Sequence, residues 1–460
     1  MDFTGKRIHM IGVAGSSMSG LASILQAFGS SVQGSDENAG DKKGKLEKQG
    51  IRVLSGHSPN HLADPSGQLP HLVVYTAAVK PSNPEIQEAR RLGIPVIERK
   101  DLLGMIMSVY RFPIAVSGTH GKTTTTSMIA SILLDAGSDP GFHIGGDVKQ
   151  LGGGTRAGNG GFFVTEACEY VDSFLSLRPK AAVVLNIEED HLDYFKDIQH
   201  ICRSFRAFVQ LLPGNGFLVV NAADPNCMML AAEAPCRVIL FGGKDPNAGY
   251  SCQDIQLDSR GYPSFQLVRQ GTPLKRLKLH LRGSHNIQNA LAAAAVCLEA
   301  GCTPDQVAAG LEYFAGASRR FEWKGARLGV DVYDDYAHHP SEISATLDAA
   351  RTTCRGKIFC IFQPHTYTRA KRFMHGFSSS LSLADQVVLT DIFASRESDP
   401  GDVRSEDLLD IMKTEGLNVI YIKDFSEIAD FLSRSVQEGD MVLTLGAGDV
   451  SRVGELFLSV

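Results

Sequence analysis

The chain has no run of about eighteen apolar residues, so no membrane-spanning helix is expected. It has no basic run either, and its net charge of −6 speaks against a nucleic-acid partner. An anionic ligand must then be met by local positive groups and not by a global field. No Cys-x-x-Cys pair occurs among the nine cysteines, which removes the usual ground for a zinc ribbon. Thiols scattered in this way suit a reducing, cytoplasmic compartment. The first ten residues lack the apolar core of a secretory leader and enter a strand pattern directly. What remains is an ordinary globular composition, 43% hydrophobic and 21% charged, over 460 residues, enough for two or three domains.

One stretch organises the rest. Residues 112–126 read FPIAVSGTHGKTTTT. Ile114 to Val116 suit a buried strand, and Gly118 and Gly121 allow a tight turn. Met128, Ile129, Ile132 and Leu133 then recur at helical spacing, and Gly137 closes the helix. Strand, glycine turn, lysine, hydroxyls and helix make a phosphate cradle. The amides of Gly118, Thr119, His120 and Gly121 would face a polyphosphate such as that of ATP. Lys122 would neutralise it, and Thr123 or Thr124 would hold Mg²⁺. Val116 stands where a plain Walker loop has its first glycine.

Upstream, Arg7 to Val13 reads as a strand, followed by the turn Gly12, Val13, Ala14, Gly15, Ser16, Ser17, Met18, Ser19, Gly20 and a helix through Phe28. A second strand near Ser31 ends in Ser35 and Asp36. This is a βαβ dinucleotide pattern, with Asp36 about twenty positions on for a ribose. By itself it fits NAD, FAD or UDP equally.

Downstream, two strands end in polar groups: residues 162–166 in Glu166, and residues 182–187 before Asp190 and His191. A carboxylate and an imidazole at strand ends near the phosphate loop are placed for Mg²⁺. One ion would bridge the phosphates through Thr123 and Glu166, and a second would take His191. The glycine-rich segment 152–161 reads as a simple surface linker. Ser284 is the expected N-cap of an alanine-rich helix that carries Asn286 and Asn289. The last third alternates strands, at 329–333, 357–362, 386–389, 418–422 and 441–445, with helical stretches. That is α/β with a mainly parallel sheet. Polar clusters stand at its strand ends: Tyr336, His338 and His339 at the first, His365 and Arg369 at the second.

Together these motifs resemble the Mur ligases, the ATP-dependent amide-forming enzymes of peptidoglycan precursor synthesis. GTHGKTT at 118–124 is similar to their ATP loop, EACE at 166–169 and NIEEDH at 186–191 to their metal segments, and HNIQN at 285–289 to their adenine segment. DDYAHHP at 334–340 and QPHTYTR at 363–369 resemble the branch that adds alanine to a muramate carboxylate. The resemblance implies an α/β fold of three domains. These are an N-terminal Rossmann-like UDP-binding domain over 1–109, a central P-loop ATPase-like domain over 110–317 and a C-terminal Rossmann-like domain over 318–460. It implies UDP-sugar contacts from Gly12, Ala14, Gly15, Ser16, Met18, Ser19, Ser35 and Asp36, joined by His57, Thr76 and Asn83. It gives ATP contacts to Asn286, Asn289 and, of the pair Arg319 and Arg320, the second. Lys122, His191, His365 and Arg369 become catalytic, the last two by placing the amino acid beside Tyr336, His338 and His339. Ala14, Ala337 and Thr366 depart from the frequent pattern. Arg206 stands where several Mur ligases carry a metal-supporting lysine, about fifteen residues after His191, and this absence fits the alanine branch.

The implied substrates are UDP-N-acetylmuramate, L-alanine and ATP. Two Mg²⁺ ions are expected, with Mn²⁺ able to substitute, in a monomer or weak homodimer. Three other readings compete. A ligase attaching a recycled peptide to the same UDP-sugar shares the first domain and the ATP loop. A Rossmann oxidoreductase rests on Gly12 to Gly20 alone, and a non-catalytic nucleotide-binding regulator leaves the metal residues without a purpose.

Overall fold

The computed structural model describes residues 2–40, 42–242 and 249–459. Three β-sheets follow one another along the chain, each flanked by helices. The first sheet is parallel, in the order Arg52–Ser55, Ser31–Asp36, Arg7–Ile11, Leu72–Tyr75, Val96–Glu98. Its strand order reverses beside Arg7–Ile11, and that switch opens a crevice at the strand ends.

The second sheet has ten strands. Phe112–Ser117 lies near its middle, between Ala181–Val184 and Phe162–Glu166, both parallel to it. At the far edge, Tyr250–Leu257, Pro263–Arg269 and Thr272–Lys278 form an antiparallel meander. Alternation along the central strand divides two cores. Ile114 and Val116 face the helices Lys122–Asp135 and Ser284–Glu299, whereas Ala115 faces the other side. That second core also contains Ile8, Met10 and Val74 of the first sheet. The first two domains therefore share buried apolar surface, which opposes their separation.

The third sheet runs Glu322–Arg327, Val330–Asp335, Met441–Leu445, Ile358–Phe362, Gln386–Leu389, Val419–Tyr421. Only its first pair is antiparallel. Its five mutually parallel strands match the sequence expectation closely, because Val, Ile and Phe runs admit little else; the antiparallel edge strand Glu322–Arg327 has no apolar run and no counterpart in that expectation.

Two expectations need correction. Ser284 is the first helical residue and makes no side-chain capping bond; Gly283, at φ 91°, takes the cap position. The segment 152–161 is no simple linker. Thr155–Arg156 forms a short strand paired with Gly141–His143, and this hairpin packs against the helix Ser16–Ala27. A Cβ on Gly160 would come within 1.9 Å of the Ser138 carbonyl oxygen, so glycine here serves close backbone approach.

Candidate active site

The loop after Phe112–Ser117 is held from outside. The His120 amide donates to Asn186 Oδ1 at 2.8 Å, and Asn186 Nδ2 donates back to the His120 carbonyl at 3.2 Å. Thr119 N–H donates to the Asn186 carbonyl at 3.1 Å. Gly121, at φ 85°, lies so close to Asn289 that a Cβ would stand 2.5 Å from Asn289 Oδ1. The helix beginning at Lys122 thus points its N-terminus into a fixed turn, an arrangement suited to phosphate.

Lys122 is part-buried with a partner to which the sequence reading assigned no role. Its Nζ donates to the carbonyls of Gly118 at 2.6 Å and Thr119 at 3.0 Å, and to Glu169 Oε1 at 3.1 Å. Burial by itself would lower the lysine pKa. The adjacent Glu169 carboxylate outweighs it, and the pKa is raised. The ammonium is therefore charged and parked against Glu169, at the mouth of the loop.

The metal candidates surround this point. Glu166 ends its strand in register with Val116, and its Oε1 accepts the Gly145 amide at 2.6 Å. Gly145 and Gly146 fill the space between Glu166 and Thr123: a Cβ on the first would meet Glu166 Oε1 at 3.2 Å, one on the second Thr123 Cγ2 at 3.2 Å. His191 adopts φ 53° and packs at a tilt against Tyr170 with 4.8 Å between ring centroids. Burial lowers its pKa despite the nearby Asp190 and Glu169 carboxylates, so the ring is neutral. Its Nδ1 is buried with no hydrogen-bond partner. A free imidazole nitrogen, a hydroxyl and carboxylates beside a phosphate loop fit a divalent cation. Arg206 lies elsewhere, half-exposed and paired with Glu233 at 2.6 Å.

The third domain closes the other wall. Arg369 is buried and gives Nε and Nη2 to Asp190 Oδ1, at 3.2 and 2.7 Å. Its Nη1 donates to His365 Nδ1 at 3.1 Å. The expectation that Arg369 offers its fork to an amino-acid carboxylate is thus corrected: the fork is spent on a buried pair between domains. Burial, with His338 and Arg369 nearby, pushes His365 down to about 3, leaving it neutral. Burial likewise holds His338 at about 4. Arg396, which the motifs did not single out, lies over the Tyr170 ring at 4.1 Å and reaches Asp193 at 3.2 Å.

The structure also separates the two arginines at the domain junction. Arg319 spends its guanidinium on Asp334, Gly446 and Gly448 of its own domain. Arg320 stacks on Tyr336 and lines a cavity of about 270 Å³ with His120, Gly121, Thr124, Asn286 and Asn289. The nucleotide-facing candidates, except Gly118, Thr119, Lys122 and Thr123, are therefore together in one cavity. His120 bridges to Glu342 of the third domain at 3.2 Å. Burial opposes its charge, but Glu342 and Glu188 raise its pKa to about 9.

At the first domain the outcome is divided. Gly12, at φ 80°, abuts Thr76: a Cβ would be 2.7 Å from its Cγ2. Asp36 Oδ2 accepts the Ala14 amide at 3.0 Å and so fixes the turn. Ser16 and Ser19 line a cleft of about 490 Å³ that extends to Gly145 and Gly146 and includes Lys42, whose Nζ donates to Ser16 Oγ at 3.0 Å. Gly15 caps the helix beside them. Three expected sugar contacts are instead structural. Met18 is buried in the core. Ser35 is fully buried and donates to Glu85 Oε2 at 2.6 Å. Asn83 caps the helix Pro84–Arg91 by accepting the Glu85 amide at 2.9 Å. His57 bonds Ser35 at 3.1 Å and lies 3.6 Å from Glu85, in a cluster with His9 and His61. Ser35 and His57 are polar in sequence but turn inward, because the buried Glu85 carboxylate needs several donors.

Comparison with known families decides the lineage. Residues 7–111 match the Mur ligase family catalytic domain, 116–297 the Mur ligase middle domain, and 319–448 the Mur ligase glutamate ligase domain. The chain belongs to the Mur ligase family. Among similar proteins, a UDP-N-acetylmuramate–L-alanine ligase of Acetivibrio thermocellus is 47% identical to this Mur ligase over 98% of the chain and 96% of the relative. One of the same name from Caldanaerobacter subterraneus is 46% identical, covering 98% and 97%. The crystal structure of a UDP-N-acetylmuramate–alanine ligase from Thermotoga maritima superposes with TM-score 0.80 at 29% identity, covering 99% and 98%. A murein peptide ligase from Psychrobacter arcticus gives 0.71 at 26% identity, covering 99% and 98%.

Proposed function

We propose that this Mur ligase joins L-alanine to the carboxylate of UDP-N-acetylmuramate with conversion of ATP to ADP and phosphate, in peptidoglycan precursor synthesis. The observation that carries the reading is likeness along nearly the whole chain to enzymes named for that reaction, at 47% and 46% identity for the two relatives described. The cleft supports it. A carboxylate is a poor acylating agent, since oxide would have to leave. Attack of a carboxylate oxygen on the γ-phosphorus makes the leaving group a phosphate. The alanine nitrogen, as the free amine, then forms the amide bond, and the carbon–oxygen bond to phosphate breaks.

Two anions must approach one another, so neutralisation dominates the barrier. Lys122 is charged and stands ready to exchange Glu169 for a phosphate oxygen. Thr123, Glu166 and His191 would hold Mg²⁺, for which we propose two ions with Mn²⁺ as substitute; the metal lowers the charge on the phosphates it contacts. Arg320, Asn286 and Asn289 serve the nucleotide. Ser16, Ser19, Asp36, Lys42 and Thr76 serve the UDP moiety. Neutral His365 and His338 line the amino-acid side, with Arg369 positioning His365. We further propose a cytoplasmic enzyme, monomeric or weakly dimeric; among the described residues no helix is long and apolar enough to cross a membrane.

The test is incubation with UDP-N-acetylmuramate, ATP and either L-alanine or a recycled tripeptide, with product mass as readout. The alanyl product supports the reading. Tripeptide product alone would transfer the chain to the peptide-recycling activity, and no ATP turnover would sink both.

A further inference from the structure

We propose that His120, Glu188 and His339 form a site for one zinc-like transition-metal ion, distinct from the magnesium residues and bridging the central and C-terminal domains. Among the described residues this is the group of three whose donor atoms all lie within 4.8 Å of one another. His120 belongs to the phosphate loop and Glu188 follows the strand Ala181–Val184, while His339 comes from the third domain, just before the helix Pro340–Arg351.

Each imidazole has its remote nitrogen engaged. His120 Nδ1 lies 3.2 Å from Glu342 Oε1, and His339 Nε2 lies 3.1 Å from the Glu189 carbonyl. These contacts hold a proton on each outer nitrogen and turn His120 Nε2 and His339 Nδ1 toward Glu188, so an ion must also displace the second proton of the charged His120 ring. Metal-binding histidines are oriented by outer partners in this way. His120 Nε2 is buried and makes no hydrogen bond. It is 3.5 Å from Glu188 Oε2, and His339 Nδ1 is 3.9 Å from the same oxygen. Bonds of about 2.0–2.1 Å to one tetrahedral ion hold nitrogen and oxygen roughly 3.3 Å apart, so small shifts suffice. The ion would displace the long 3.3 Å contact from the Ser341 amide to His339 Nδ1 as well.

Two imidazoles and one carboxylate favour zinc, cobalt or nickel over magnesium. The set leaves a fourth position open. His120 and Glu188 also line the nucleotide cavity. Glu188 is 40% exposed, which gives an ion access from solvent. Because the ligands span two domains, a bound ion would fasten the docked arrangement and hinder the opening that product release requires.

The experiment titrates the full chain with zinc chloride alone, followed by calorimetry, and repeats it with millimolar Mg²⁺ present. One ion per chain, bound at micromolar or lower concentration and indifferent to Mg²⁺, is expected. Glu188→Gln and His339→Ala should each weaken it by at least about tenfold. Glu188→Gln changes a part-exposed side chain and leaves the His339 cap intact, so a folding defect in the other variant does not blur the result. Cobalt(II) on the wild-type chain should show ligand-field bands without a thiolate charge-transfer band. Equal affinity in wild type and Glu188→Gln, or a thiolate spectrum, would overturn the site.

Discussion

Lys122 carries most of the chemistry at the level of single residues. Its charge is secured by Glu169 at 3.0 Å, so the side chain is both ionised and positioned before any phosphate arrives. Losing one well-placed donor to a developing charge costs about 3 kcal/mol. Lys122→Ala should therefore cut turnover by at least about a hundredfold while UDP-sugar binding persists. A near-normal rate would refute the phosphate role. His191 offers an unpartnered nitrogen in neutral form. His191→Ala should raise the Mg²⁺ concentration needed for half-maximal rate, and an unchanged Mg²⁺ titration would remove it from the metal shell. Arg369→Ala is expected to raise KM for alanine, because it releases His365, and to slow turnover as well, because it removes the buried pair with Asp190; an unchanged KM for alanine would detach it from the amino-acid side.

At the level of elements, the first domain is pinned by one buried carboxylate. Glu85, in the first turn of Pro84–Arg91, receives His9 at 2.8 Å, His61 at 3.0 Å, Ser35 at 2.6 Å and the Ser58 amide at 3.0 Å. Burial would raise its pKa, but these donors overcome it and bring it from 4.5 to about 2. The folded value lies below the unfolded one. The resulting stability is thus present above pH 4.5 and lost as pH falls toward about 2. A shift of this size corresponds to roughly 3 kcal/mol. Thermal melts between these pH values should show the wild-type domain losing stability steeply and Glu85→Gln starting lower but responding less. Parallel curves would contradict the assignment. A comparable constraint joins two helices of the central domain, where a Cβ on Gly310 would be 2.4 Å from Ile132 Cα.

At the level of the whole molecule, the third domain is docked on the second through charge. Asp190–Arg369 at 2.7 Å is buried, and Arg372–Glu189, Arg396–Asp193 and His120–Glu342 surround it. Burial disfavours the Asp190 anion, yet Arg369, His191 and His338 hold its pKa far below the ordinary range. Breaking a buried pair from one side costs about 3–5 kcal/mol. Asp190→Asn should leave the sheets intact and loosen the docking, seen as a larger radius of gyration in solution scattering and a slower reaction. An unchanged radius would show that the pair is not the latch. The first two domains need no such latch, since Ile8 and Met10 share a core with Ala115 and Val184.

The sequence alone determined the apolar core strands and the phosphate loop. Apolar runs such as residues 114–116 and 358–362 dictate buried strands, and glycines at 118 and 121 dictate the turn between strand and helix, because these depend on neighbours in the chain. It could not decide which polar side chains face a ligand. Ser35 turned inward to Glu85, Arg369 went to Asp190 and Glu169 went to Lys122. Those choices rest on contacts between residues distant in sequence, as with the 179 positions separating Asp190 from Arg369. A buried charge takes whichever partner the packed domains bring within reach, and only the tertiary structure fixes that partner.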